Sequence, residues 1–184
     1  MSADMMKRML DRAMSGVRTA FRGVLTGLST AAPAALVQAD ALSGEQLQDN
    51  ELMQHYGFTS APPAGTQIIV LPLGGKTAHG VIIATEHGTF RLKGLKSGES
   101  ALYDDQGQCV HLTRDGIVIK GAGKPITITD TPKVRIESEL EVTGTIKDLC
   151  DTTGKTMSSM RETYNGHSHP DPQGGDVGTP SEQM

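Results

Sequence analysis

The 184-residue chain is short of the side chains that fill a thick core: it has three Phe, three Tyr and no Trp, 3% aromatic in all. Rings bury the most area per residue, so a chain this poor in them is marginal, repetitive, or completed by other copies of itself. Long apolar runs are also missing. The longest, 68–73, contains Pro72 and falls far below the ~18 residues of a membrane-spanning helix, which excludes such a helix. Basic charge is not in excess, with 17 Lys and Arg against 21 Asp and Glu. Together with the scarcity of stacking rings, that argues against a nucleic-acid binder. The two cysteines, Cys109 and Cys150, form no CxxC, and no secretory apolar segment accompanies them. They are read as reduced thiols of a cytoplasmic assembly stage, with a disulfide as the alternative. Glycine, by contrast, is abundant at 22 residues, as expected of a chain with many turns.

The first 28 residues read as an amphipathic helix, with Met5, Met6, Met9, Leu10, Ala13, Val17, Phe21, Val24 and Leu25 at helical spacing among Lys7, Arg8, Arg12, Arg18 and Arg22. A segment over 1–30 that docks on a partner is the favoured reading, ahead of a transit peptide or a membrane-surface anchor. From 31 to 98 the pattern changes to short β-type runs at 35–41, 52–59, 66–73 and 79–86. Between them lie the Ala61-Pro62-Pro63-Ala64-Gly65 break and the Gly74-Gly75 turn. About five short strands in such a span fit a small barrel of the oligonucleotide/oligosaccharide-binding (OB) type.

From 99 to 148 turn signals recur near 106–107, 115–116, 122–123, 130–131, 138–139 and 144, a spacing of about eight residues. Between them apolar residues alternate: Val110 and Leu112, Ile117 and Ile119, Ile126 and Ile128, Val134 and Ile136, Leu140 and Val142. Each strand thus supplies one narrow aliphatic face, opposed by polar residues such as Lys120, Thr127, Arg135 and Glu141. Half of a core, repeated, is covered only by stacking or intertwining. A meander folding back as a sandwich is one solution. A slim β-prism of three chains is the other, and it suits aliphatic side chains without rings better than the ~10 Å gap between packed sheets.

The segment 149–184 carries His167-Ser168-His169 ahead of a run rich in Gly and Pro. In an extended chain residues i and i+2 project from one face, so the two imidazoles can reach one metal ion. Three copies on an axis would give six nitrogens, an octahedral set; two copies would give four, the tetrahedral number that zinc prefers. A solvated tail without metal is the bland alternative. Asp171, Asp176 and Glu182, with no Lys or Arg over 163–184, leave calcium as a further candidate ion without assigned ligands. His55, His79, His87 and His111 have no carboxylate or nucleophile at a catalytic spacing, and Asp104-Asp105 reads as turn residues. No GxSxG, HExxH, P-loop or triad occurs, so no catalytic residue is assigned and the chain does not read as an enzyme.

Several stretches, in this order, carry a resemblance. They are His55-Tyr56-Gly57-Phe58-Thr59-Ser60 and Pro62-Pro63-Ala64-Gly65 before 68–73 and Gly74-Gly75, then Gly98-Glu99-Ser100-Ala101-Leu102-Tyr103-Asp104, and last Gly166-His167-Ser168-His169. Over nearly its whole length the chain resembles the phage baseplate assembly protein V family, the central spike of contractile phage tails. The resemblance implies an all-β homotrimer: a short N-terminal helix (1–30), an OB-like barrel (31–98), an intertwined triple-stranded β-helix (99–148), and an apex (149–184). At that apex one iron per trimer would be held by His167 and His169 of each chain. It further implies a virion protein at the tail baseplate centre, present in the host cytoplasm during assembly. Its N-terminal region would sit on baseplate hub proteins, and its tip would pierce the host outer membrane during tail contraction, with no nucleic acid bound. The alternative reading is a trimeric metal-binding OB-type module for carbohydrate or nucleic acid.

Overall fold

The computed structural model describes residues 2–184, apart from the side chains at 13–15 and 78. It contains two compact units, Met1–Thr127 and Ile128–Met184, each described here by itself.

In the first unit the helix α1 covers Ala3–Ser15 and is exposed along its described length. It is shorter than the helix expected over the first 28 residues, because Phe21–Ser29 forms a strand, β1. Phe21 and Leu25 therefore belong to the barrel core and not to a helical stripe. The reason lies at Gly23, where an added Cβ would stand 2.9 Å from the Asp40 carbonyl oxygen. This close approach of two strands admits only glycine.

The strands β1, β2 (Ala35–Asp40), β3 (Gln46–Leu52), β4 (Gln67–Leu73) and β5 (Lys76–Glu86) close into a barrel in the order β1-β2-β3-β5-β4. All neighbours are antiparallel except β3 and β5, which pair in parallel. A small five-stranded barrel of this kind is what the sequence pattern predicts. The third strand differs from expectation: it precedes residue 53, and 53–59 is a loop held by Gln54, whose side-chain amide exchanges hydrogen bonds with Ser60 at 2.9 Å.

The barrel core is Phe21, Leu25, Val37, Ala39, Leu47, Leu52, Ile68, Val70 and Ile82, supplied by inward positions of all five strands. Full burial of an aliphatic side chain contributes about 1.5–3 kcal/mol, so this set is the main source of the barrel's stability. Buried Asn50 is satisfied by donating to the Gly80 carbonyl at 2.6 Å. At the end nearest α1, the Arg18 guanidinium pairs with Glu45, donates to Thr77 Oγ1 at 3.0 Å and lies 3.9 Å above the Phe21 ring.

Beyond the barrel, β6 (Ser100–Tyr103), β7 (Cys109–Leu112) and β8 (Ile117–Lys120) form an antiparallel three-stranded sheet. Its register aligns Leu102 with Val110 and Ile119, and Ser100 with Leu112 and Ile117. One face is thus almost wholly aliphatic, as the alternation predicts, and it is open: Val110 is 36% exposed and Ile117 70%.

In the second unit no helix and no ladder forms over 128–146. The expected strands at 134–136 and 140–142, and the one at 126–128 that spans the boundary, are not paired within the chain. Runs this short and one-sided bury nothing by folding back on their own chain. Ile128, Val134, Ile136, Leu140, Val142 and Ile146 remain between 42% and 67% exposed. A bridge between Lys147 and Thr156 closes a short loop. Helix α2 (Met157–Gly166) and the hairpin of β9 (His169–Asp171) and β10 (Gly175–Val177) complete the unit.

Candidate metal centre

The two histidines of the HxH stretch sit where α2 gives way to the hairpin. The helix starts at Thr156, whose hydroxyl oxygen accepts from the Ser159 N–H at 3.0 Å, a side-chain N-cap. It was not anticipated from the sequence, although Thr156 ahead of Met157, Met160 and Tyr164 is a cap followed by an i, i+3, i+7 stripe. His167 ends it in an extended conformation, φ −76° and ψ 147°. His169 then enters β9, with Pro170 behind it favouring an extended backbone, and pairs with Val177 across the hairpin. The turn is held by Asp171, whose carboxylate accepts from the Gln173 N–H at 2.9 Å and whose carbonyl accepts from the Gly174 N–H at 3.0 Å. Gly174 takes φ 95°, a conformation that favours glycine.

This arrangement brings the two imidazoles together, with ring centroids 5.0 Å apart and planes at 89°. His167 is half-buried against Tyr164, the ring centroids lying 5.4 Å apart, whereas His169 is exposed. The His167 Nδ1 atom lies 2.6 Å from the Tyr164 carbonyl oxygen. A carbonyl only accepts, so Nδ1 carries a proton, and in the neutral imidazole Nε2 keeps its lone pair. That is the usual support of a metal-ligating histidine: one nitrogen donates to a backbone carbonyl while the other faces the ion. The residues present therefore fit a metal. Among the described residues no group of three or more His, Cys, Asp or Glu side chains converges as a cation site, so one chain offers two donors and no closed shell.

Other residues singled out in the sequence fall elsewhere. The Asp104 carboxylate accepts from the N–H groups of Gln106 and Gln108 at 2.9 and 2.8 Å, organising the β6–β7 turn. His55 and His79 are exposed, and His87 stacks on Phe90 with centroids 4.4 Å apart. His111 departs from expectation, because its Nε2 lies 3.4 Å from a carboxylate oxygen of Glu99. The pairing escaped sequence reasoning because Glu99 precedes β6 and only the β6–β7 hairpin brings it alongside. The Glu99 side chain is 6% exposed; its carboxylate accepts from the Lys96 and Arg114 N–H groups at 2.8 and 3.1 Å. The Lys96 bond, helped by Arg114 and the positive charge of His111, holds its pKa below the ordinary 4.5 against the opposing effect of desolvation. Cys109 and Cys150 are free thiols.

Residues 22–89, which span the barrel, match the family described as Bacteriophage Mu Gp45, N-terminal. The chain is 34% identical over 110 residues to Mu-like prophage FluMu protein gp45 of Haemophilus influenzae, covering 60% of each chain. It is 26% identical over 145 residues to the baseplate puncturing device gp45 of Escherichia phage Mu, covering 74% of this chain and 73% of that one. The match thus spans less than two thirds of the length of the Haemophilus relative. The resemblance read from the sequence is met in these relatives, and the baseplate named for the phage Mu relative agrees with the expected virion location.

Proposed function

We propose that this chain is the homotrimeric central spike of a contractile-tail baseplate, which pierces the host outer membrane when the tail contracts. One observation carries the reading. The sheet β6–β8 and the run 128–146 present aliphatic side chains at alternate positions and leave them open. Exposed aliphatic surface on this scale marks an interface. Three chains wound about one axis would bring these faces together in a slim interior, giving a triple-stranded β-helix. The printed name of the phage Mu relative, a baseplate puncturing device, supports the role.

At the tip, His167 and His169 of three chains would supply six imidazole nitrogens, an octahedral set that suits iron. The ion, when bound, would supply a cross-link between the three ends. The residues themselves set its geometry: the Tyr164 carbonyl orients His167, and the β9–β10 pairing holds the backbone of His169. With six ligands in place no open position would remain for water or substrate, so the site would serve as a staple and not as a catalytic centre. Calcium is a second candidate for the acidic residues of the tip. Baseplate hub proteins are the partners proposed for the N-terminal region.

An intertwined body suits the load, because no strand leaves without breaking contacts to two neighbours, and survival under force is governed by the unfolding barrier. Native mass spectrometry combined with metal analysis of the purified chain tests the reading. One iron for three chains is expected; a monomer, or a trimer without metal, overturns it.

A further inference from the structure

The two histidines are flanked by a clasp. Asn165, two residues before His167, uses both ends of its side-chain amide on the backbone of residue 184: its Oδ1 accepts from the Met184 N–H at 3.0 Å, and its Nδ2 donates to the Met184 carbonyl at 3.3 Å. Asn165 is half-buried on the otherwise exposed end of α2. The paired contact imitates one rung of a β-ladder, made by a side chain across 19 positions of sequence.

Tracing the chain between these contacts gives a closed circuit. From Asn165 it passes His167, enters β9 at His169, turns at Asp171 to Gly174, returns along β10 and runs back to Asn165. Each histidine has its own local support, the Tyr164 carbonyl for His167 and the Val177 pairing for His169. Among the described residues, the clasp is the hydrogen-bonded tie between the helix that carries the first support and the chain leading back from the hairpin that carries the second. Without it, the hairpin is joined to α2 by the short segment through Ser168 alone, and the imidazole separation is free to vary.

We propose that Asn165 is a positioning residue for the histidine pair: by holding residue 184 against the end of α2, it closes the loop and pre-sets the imidazole spacing before any ion arrives. The ordering cost of the loop is then met on folding and not on binding. The proposal rests on the metal-binding reading, and its test separates the two.

Two measurements on the full chain compare the native protein with Asn165→Ala and Asn165→Asp. The first is amide hydrogen exchange without metal. Asn165→Ala is expected to release protection at Met184 and to speed exchange at His167 and His169, whereas Asn165→Asp, which still accepts from the Met184 N–H, keeps part of it. The second is titration with ferrous iron alone, without oxygen. Asn165→Ala is expected to bind about 10-fold more weakly, the usual loss on removing an outer support of a metal ligand, with Asn165→Asp between the two. Unchanged exchange at the two histidines in Asn165→Ala overturns the clasp, as does unchanged iron affinity. Failure of the native chain to bind iron overturns the metal reading instead, and the exchange measurement still decides the clasp.

Discussion

The barrel and the sheet beyond it are made from the same aliphatic side chains and treat them in opposite ways. In the barrel Val37, Val70 and Ile82 are 0% exposed; in the sheet β6–β8 Ile119 is 59% exposed and Ile117 more so. Hydrophobicity does not distinguish them, and neither does strand pairing, since both sets lie on antiparallel ladders. Closure does. Five strands bent round on themselves give the alternation an inside, whereas three short strands in a row have one apolar face that stays open among the described residues. The difference teaches that the barrel closes its own core, whereas the sheet beyond it leaves an apolar face open that the proposed trimer would cover.

The sharpest way to break the comparison is Ile136→Asp. In an isolated chain an Asp at this open site costs almost nothing. In a threefold interior it buries a charge in every chain, at an effective cost of several kcal/mol per ion. Native mass is expected to fall from trimer to monomer while the barrel stays folded, and a trimer that persists would show that this face is not shared. Leu25→Ala probes the other side. Leu25 is 1% exposed in the barrel, so the change is expected to cost about 2–5 kcal/mol in denaturant unfolding of the barrel, with the assembled mass unaltered. Equal sensitivity of mass to both changes would erase the distinction.

Replacing His167 and His169 together by Ala is a milder change. Metal content is expected to vanish while the trimer persists, because in the proposed assembly the aliphatic faces and not the tip hold the chains together; dissociation would reverse that division of labour. The smallest effect concerns Glu99. Its carboxyl has a folded-state pKa lowered from 4.5, so the stabilisation it gives the start of β6 is fully present above about pH 4.5 and is lost as the pH falls through the lower folded value. Glu99→Gln is expected to flatten the acid limb of the stability profile below that point and to leave the fold at neutral pH intact. An unchanged acid limb would show that Glu99 is not linked to folding.

Where the sequence was legible, one simple period dominated. β2, β4 and β5 follow alternation and turn chemistry, and the sheet β6–β8 presents the aliphatic face that its pattern predicts. β1 was read as helix because Phe21, Val24 and Leu25 also fit helical spacing; the competing alternation runs through Gly23, which has no side chain to register it. β3 was placed too late because its inward positions are Leu47, Asn50 and Leu52, with a polar residue in the core and Asp49 at φ 55° shifting the period between them. At the tip the histidine pair was legible as a motif. The contacts around it, from Tyr164 and Asn165, were not, because one uses a carbonyl and the other the backbone of a residue far along the chain.

In the proposed trimer, the open face of β6–β8 would also set a kinetic condition on the protein's biogenesis. A chain that completed its core only with two others would leave the ribosome unfinished, and the yield of finished trimers would rise steeply with concentration, toward its third power while association is limiting. A host cell that makes the chain slowly would accumulate sticky monomers; one that makes it in a burst, beside its own siblings, would not. For such a molecule the timing of synthesis is as much a part of folding as the sequence.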